Sequence, residues 1–206
     1  MTEISRRRVL LGGVAAALSA FVAACTRRRD TLGATETPSG TSLEPTPSCE
    51  DGDEITPEQT EGPFFTPSSP EKRDLAADVN GGTKLVLTGT VLTTDCKPVE
   101  KALIDVWQAD ADGNYDNEGF RLRGHQFTDA QGAYALTTVV PGLYPGRTRH
   151  IHVKVQAPNG PVLTTQLYFP GEAQNASDGI FREECLIDMR DAADGKTGTF
   201  RFVVRT

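Results

Sequence analysis

From Lys84 to its end the chain repeats one local pattern: a short run of β-branched and aromatic residues, then a cluster of turn formers. The runs are KLVLTGTVL, KALIDVWQA, GAYALTTVV, HIHVKVQA, VLTTQLYF and GTFRFVVR, and DADGN, DAQG, PGLYPG, APNG and PGEAQN stand among them. Glycine, proline, aspartate and asparagine supply the backbone angles that a reversing chain needs. No segment keeps a 3.6-residue apolar period, so helices have nothing to bury. Several short strands with frequent reversals predict an all-β chain, an antiparallel β-sandwich with irregular loops.

The first 55 residues do not fit that pattern. SRRRVLLGGVAAALSAFVAAC begins basic and then runs apolar from Val9 to Ala24. That run is short for a membrane span, which needs about 20 residues, and it suits a signal peptide over 1–24. Arg6, Arg7 and Arg8 read as a twin-arginine export signal. The ending VAAC resembles a lipobox, which predicts a lipid anchor at Cys25 on the outer face of the cytoplasmic membrane. Cleavage elsewhere, giving a secreted protein, and a plain membrane anchor are the alternatives. Residues 25–55 are rich in Thr, Pro and Ser and carry almost no large apolar side chain, so they predict a disordered tether before a domain at 56–206.

The formal net charge is −7, and the leader itself removes three arginines and one glutamate. An acidic chain argues against a nucleic-acid partner, which wants a basic face. Export would permit disulfides. If Cys25 is acylated, Cys49, Cys96 and Cys185 remain; Cys49–Cys96 is the favoured pair, because Cys185 in the apolar CLIDM reads as a buried thiol.

Only three histidines occur, and His150 and His152 are two of them. Positions i and i+2 of a strand share a face, so Ile151, Val153 and Val155 form a core stripe while both imidazoles point the other way. Two neutral imidazoles on one face can converge on a metal. His125 could complete a three-histidine zinc site; a hydrogen-bonded pair with no metal is the plainer alternative. Two tyrosines stand in nearby turns, Tyr115 in DGNYDN and Tyr144 in PGLYPG. Phenolate is a hard anionic donor that ferric iron can ionise near neutral pH.

At this point the chain resembles a family, the intradiol ring-cleaving dioxygenases. The resemblance rests on TPEQTEGPFF, DVWQADADGNY, RGHQFTDAQGAYALTTVVPGLYP, RHIHVKV and LTTQLYFPG, nearly continuous over residues 56–172. It implies a β-sandwich and a non-haem Fe(III) cofactor held by Tyr115, Tyr144, His150 and His152. It implies Arg147 as the charge stabiliser, with Arg149 as the alternative, and Gln166 as a further catalytic residue. The implied partners are a catechol-type substrate and O2, and the implied products are cis,cis-muconates. The likeness is to the exported, twin-arginine branch. A homodimer is compatible with it, although the N-terminal helical region that carries the dimer contact of the cytoplasmic enzymes has no counterpart here. Five residues separate Tyr144 from His150, fewer than in the catechol and protocatechuate enzymes. Trp107 and Gln108 are expected to brace the strand before Tyr115, TEGPFF to run near the pocket mouth, His125 to be structural, and Tyr134 and Tyr168 to sit in the core. A different class, a transthyretin-like surface module that only binds, would explain the strands but leave the tyrosines and histidines unexplained.

Overall fold

The computed structural model describes residues 54–206. The leader, Cys25, Cys49 and nearly all of the expected tether lie outside those residues. Eight strands form two four-stranded sheets: β1 Lys84–Thr93, β2 Leu103–Trp107, β3 Arg123–Phe127, β4 Ala133–Val139, β5 His150–Gln156, β6 Val162–Tyr168, β7 Asp188–Ala192 and β8 Gly195–Val204. One sheet has the order β4-β1-β8-β7 and the other β3-β2-β5-β6. The only helical pieces among the described residues are three 3-10 turns. The expected all-β sandwich is therefore the fold.

The core lies between the sheets. Leu85, Leu87 and Val91 of β1 and Phe202 of β8 meet Ile104 and Val106 of β2 and Ile151, Val153 and Val155 of β5. Each of these large apolar side chains contributes about 1.5–3 kcal/mol by leaving water. Gln108 ties the layers together: its Nε2 donates to the Val139 carbonyl at 2.9 Å, and its Oε1 accepts from Thr138 Oγ1 at 2.8 Å. It braces β2 against β4.

One pairing departs from the expected antiparallel plan. β1 runs parallel to β8, from Leu85 opposite Lys196 to Thr93 opposite Val204. Two strands escaped the sequence pattern, β3 (RGHQF) and β7 (DMRDA), and both are sheet edges. Edge strands are often short and polar because an unpaired apolar edge invites aggregation.

The extended segment from Thr56 to Lys72 crosses the outer face of the β3-β2-β5-β6 sheet. Gln59 N donates to Thr164 O on the β6 edge, and His125 N and Lys72 N pair with Pro70 O and His125 O on the β3 edge. This strap covers a sheet face that would otherwise meet water. Cys96 is disulfide-bonded, and its expected partner Cys49 lies outside the described residues. Cys185 is a buried free thiol, as expected.

Candidate metal centre

The candidate centre stands on the outer face of the strapped sheet. Strand register lines up Arg123, Trp107, His152 and Gln166 across β3, β2, β5 and β6, with His150 opposite Tyr168 on the β5–β6 pair. The alternation in HIHVKV holds: Ile151, Val153 and Val155 face the core. The two histidines face outward yet are only 4% and 3% exposed. The strap buries them. Gly62 crosses directly over His152, where a Cβ would stand 3.3 Å from Cε1, and its φ of +68° is one that side chains resist.

Burial sets the imidazole chemistry. It holds His150 down to about 4 against the opposing bond to Thr148, and it holds His152 well below the usual range, helped by its neighbour His150. Both rings are thus neutral near pH 7. His150 Nδ1 lies 2.7 Å from the Thr148 carbonyl, which can only accept, so Nδ1 carries the proton and Nε2 presents its lone pair. A partner on the far nitrogen is the usual support for a metal-ligating histidine.

Three donor atoms converge. Tyr115 Oη is 3.1 Å from His150 Nε2, which is 3.2 Å from His152 Nε2. Donors bound roughly 2 Å from one ion stand about 3 Å apart, so this spacing fits shared coordination. His152 Nδ1 is buried with no hydrogen-bond partner, and its Nε2 faces the donor cluster. Burial pushes the Tyr115 phenol far up, with Arg147 and Arg123 opposing it. Such a phenol ionises near neutral pH only beside a strong Lewis acid. The donor set of phenols and neutral imidazoles therefore fits ferric iron.

Tyr144 comes to the same place by its ring. Its centroid is 5.8 Å from that of Tyr115, and Phe64 touches both, stacked on Tyr115 at 4.5 Å and edge-on to Tyr144 at 5.4 Å. Two glycines allow the loops carrying these tyrosines to meet. A Cβ on Gly113 would stand 2.3 Å from the Leu143 carbonyl oxygen, and one on Gly142 would stand 2.3 Å from Gly113 N. The bond from Gly142 N to Asp110 O closes the contact at 2.6 Å.

The two candidate arginines separate cleanly. Arg147 donates from Nη2 to Gln166 Oε1 at 2.7 Å and from Nε to Asp178 at 2.8 Å. Gln166, fully buried, donates onward to Thr60 O at 2.9 Å. Arg149 instead pairs with Glu172 at 2.6 Å and bonds the Pro141 carbonyl. It lines a cleft of about 520 Å³ that shares no residue with the donor cluster.

His125 does not join. It sits in the row of Asp105 and Lys154, its Nδ1 bonded to Ser69 O at 2.8 Å, with its ring against Phe127. Among the described residues no three His, Cys, Asp or Glu side chains are grouped to hold a metal, so the three-histidine zinc alternative is not assembled. Tyr134 is in the core as expected. Tyr168 is buried, but on the outer face, where its hydroxyl donates to Gln59 Oε1 at 2.6 Å beside Gln166.

One supporting residue, Arg123, had no signal in the sequence beyond its type. Arg123 is 1% exposed, and it donates twice to Asp116 O and once to Phe64 O, clamping the residue after Tyr115 to the residue stacked on Tyr115. Trp107 stacks on His152 at 5.0 Å and 8°, and Phe65 packs against Trp107. TEGPFF is thus a wall of the centre.

A family model described as Dioxygenase matches residues 60–202. The chain is 53% identical to the dioxygenase domain of a dioxygenase carbohydrate-binding protein fusion from the cellulolytic bacterium Streptomyces sp. SirexAA-E, covering 74% of this chain and 99% of that one with a TM-score of 0.73. An intradiol ring-cleavage dioxygenase from Tetranychus urticae matches at 25% identity and TM-score 0.67, over 74% of this chain and 94% of that one. The protocatechuate 3,4-dioxygenase beta chain of Burkholderia cepacia is 38% identical over 119 residues, 49% of this chain and 51% of that protein. The chain spans about half the length of the curated relatives it matches. With its sandwich, its strap and its tyrosine–histidine cluster, the chain belongs to the intradiol dioxygenase family.

Proposed function

We propose that the protein is a non-haem Fe(III) intradiol dioxygenase that opens catechol-type rings with O2 to cis,cis-muconate-type products. The observation that carries this reading is the convergence of Tyr115 Oη, His150 Nε2 and His152 Nε2 with the Tyr144 ring alongside. The relatives support the substrate class, since their names include protocatechuate, catechol and hydroxyquinol dioxygenases. Tyr115, Tyr144, His150 and His152 would hold the iron, which supplies the Lewis acidity that ionises the phenols and draws electron density from a chelated catechol.

The chain's own groups do the rest. Phe64 stacks face to face on Tyr115 but meets Tyr144 only at its edge, and we assign the Tyr144 oxygen as the proton acceptor for the entering diol. Arg147 has Nε and Nη2 engaged, which leaves Nη1 to meet negative charge developing on the substrate. Gln166 orients Arg147 from a fully buried position. Phe64, Trp107 and the strap exclude water from the donor cluster, which strengthens each of these interactions. Export through the twin-arginine signal, a lipid anchor at Cys25 and a homodimer belong to the same proposal.

Ferric loading is the test. The loaded protein should turn burgundy through tyrosinate-to-iron charge transfer, consume O2 with catechol, and place both oxygen atoms in the product. Tyr144→Phe should shift the colour and lower turnover at least tenfold. A colourless protein that takes up no ferric iron would sink the enzyme reading and favour a sandwich that only binds. Mass spectrometry of the mature protein would find a lipidated Cys25 if the anchor is correct.

A further inference from the structure

We infer that Asp178 is the positioning residue of this site: one carboxylate that sets the aim of Arg147 and, through the Thr148 peptide, the ring of His150. What the aimed groups then do rests on the dioxygenase reading above.

Asp178 belongs to neither sheet. It reaches in from the loop after the 3-10 turn Ala173–Ala176. Its side chain is 3% exposed. Oδ2 accepts from Arg147 Nε at 2.8 Å and also from Thr148 N at 2.9 Å, while Oδ1 accepts from Ile180 N at 3.1 Å. Arg147 and Thr148 are consecutive, so a single oxygen holds both a side chain and the backbone next to it. Each then passes the constraint on. Arg147 Nη2 donates to Gln166 Oε1, and the Thr148 carbonyl accepts the hydrogen bond of His150 Nδ1–H. Thr148 is fully buried, and its hydroxyl donates to Asn175 Oδ1.

The geometry also separates the two nearby arginines. Arg147 and Arg149 are two residues apart, and each has its own acid from the same loop, Asp178 for one and Glu172 for the other. A guanidinium free on a loop samples many rotamers; one bonded at Nε and Nη2 keeps a single direction. Without Asp178 the Gln166 bond alone would have to hold Arg147, and the Thr148 peptide could rotate its carbonyl away from His150.

The test has a metal-free arm and a loaded arm, using Asp178→Asn, Arg147→Leu and the double variant. In the metal-free protein, exchange of the Thr148 amide and the Arg147 Nε–H should speed up at least about tenfold in Asp178→Asn, while amides of β1 and β8 keep wild-type protection. In the ferric protein, kcat should fall about 10–100-fold, the usual cost of losing a residue that supports a metal ligand. KM and iron content should change less than about threefold. Asp178→Asn should cost less once Arg147 is already leucine, and the part that remains is the loss passed through the Thr148 peptide to His150. If β1 and β8 lose protection, Asp178→Glu carries the same measurements with a carboxylate retained, and it should restore most of the kcat. Wild-type protection at Thr148 and Arg147 in Asp178→Asn, or a full additional loss in the Arg147→Leu background, would overturn the assignment. If the wild-type protein cleaves no catechol at all, the dioxygenase reading fails while the exchange arm still decides the positioning.

Discussion

The contact between the two tyrosine loops makes a quantitative prediction at Gly113. Its φ is +88°, and an added Cβ would stand 2.3 Å from the Leu143 carbonyl oxygen and 3.0 Å from its carbon. An L-residue in that backbone region costs about 1–2 kcal/mol. Forcing a methyl group into a packed contact costs about 1–3 kcal/mol more. Gly113→Ala should therefore lose roughly 2–5 kcal/mol, and in a domain of this size each kcal/mol lowers Tm by roughly 2–4 °C. Gly171→Ala is the control: its φ is +77°, but nothing lies within 4 Å of the added Cβ, so only the backbone cost of about 1–2 kcal/mol applies. Thermal melts of both metal-free variants measure the difference, and ferric titration of both measures its effect on the centre. Gly113→Ala should melt several degrees below Gly171→Ala and bind ferric iron more weakly, because Leu143 is forced away and Tyr144 moves with it. Equal melting of the two variants with unchanged iron binding would refute the argument that close approach of these loops assembles the donors.

Two more predictions concern the same wall. Lysine cannot reproduce the guanidinium fork of Arg123 that serves both Phe64 O and Asp116 O. Arg123→Lys should cost about 1–3 kcal/mol for a buried carbonyl left unpaired and weaken ferric binding severalfold, read by urea melts and iron titration; wild-type values in both would dismiss the clamp. The Asp116 carboxyl is held below its usual range by the backbone N–H groups of Arg121 and Glu118. A depressed carboxyl stabilises the fold above its unfolded pKa of about 3.9, and loses that contribution as pH falls through the folded value. The stability gap between wild type and Asp116→Asn should therefore be constant above about pH 5 and close in stronger acid; a gap that widens in acid would contradict the sign.

Much of the centre was legible before any coordinates. In HIHVKV the period of two separates an apolar stripe from a ligand pair, since a one-residue slip would bury the imidazoles in the core and expose Ile151. The turns around Tyr115 and Tyr144 were legible because glycine and proline mark reversals. β3 and β7 were not: RGHQF and DMRDA carry too few apolar residues to announce a strand, and pairing to β2 and β8 holds them in place. Tyr168 looked like core because a buried aromatic in a strand has no sign of which face it occupies. Arg123 and Asp178 were silent for a related reason. A charged residue outside any recognisable apolar pattern reads as solvated, and only long-range partners reveal that one clamps Phe64 and the other holds Arg147.

The sequence by itself determined an all-β chain, its turns, the face that His150 and His152 share, and the candidate donors, because these follow from local periodicity and residue chemistry. Tertiary structure alone decided that β1 lies parallel to β8, that the Thr56–Lys72 strap seals the outer face, that Gly113 meets Leu143, and that Arg147 rather than Arg149 adjoins Gln166. Each of these joins residues far apart in the chain or sorts between near-identical neighbours, and the energy that settles it comes from burial and hydrogen bonds that exist only once the sheets have closed.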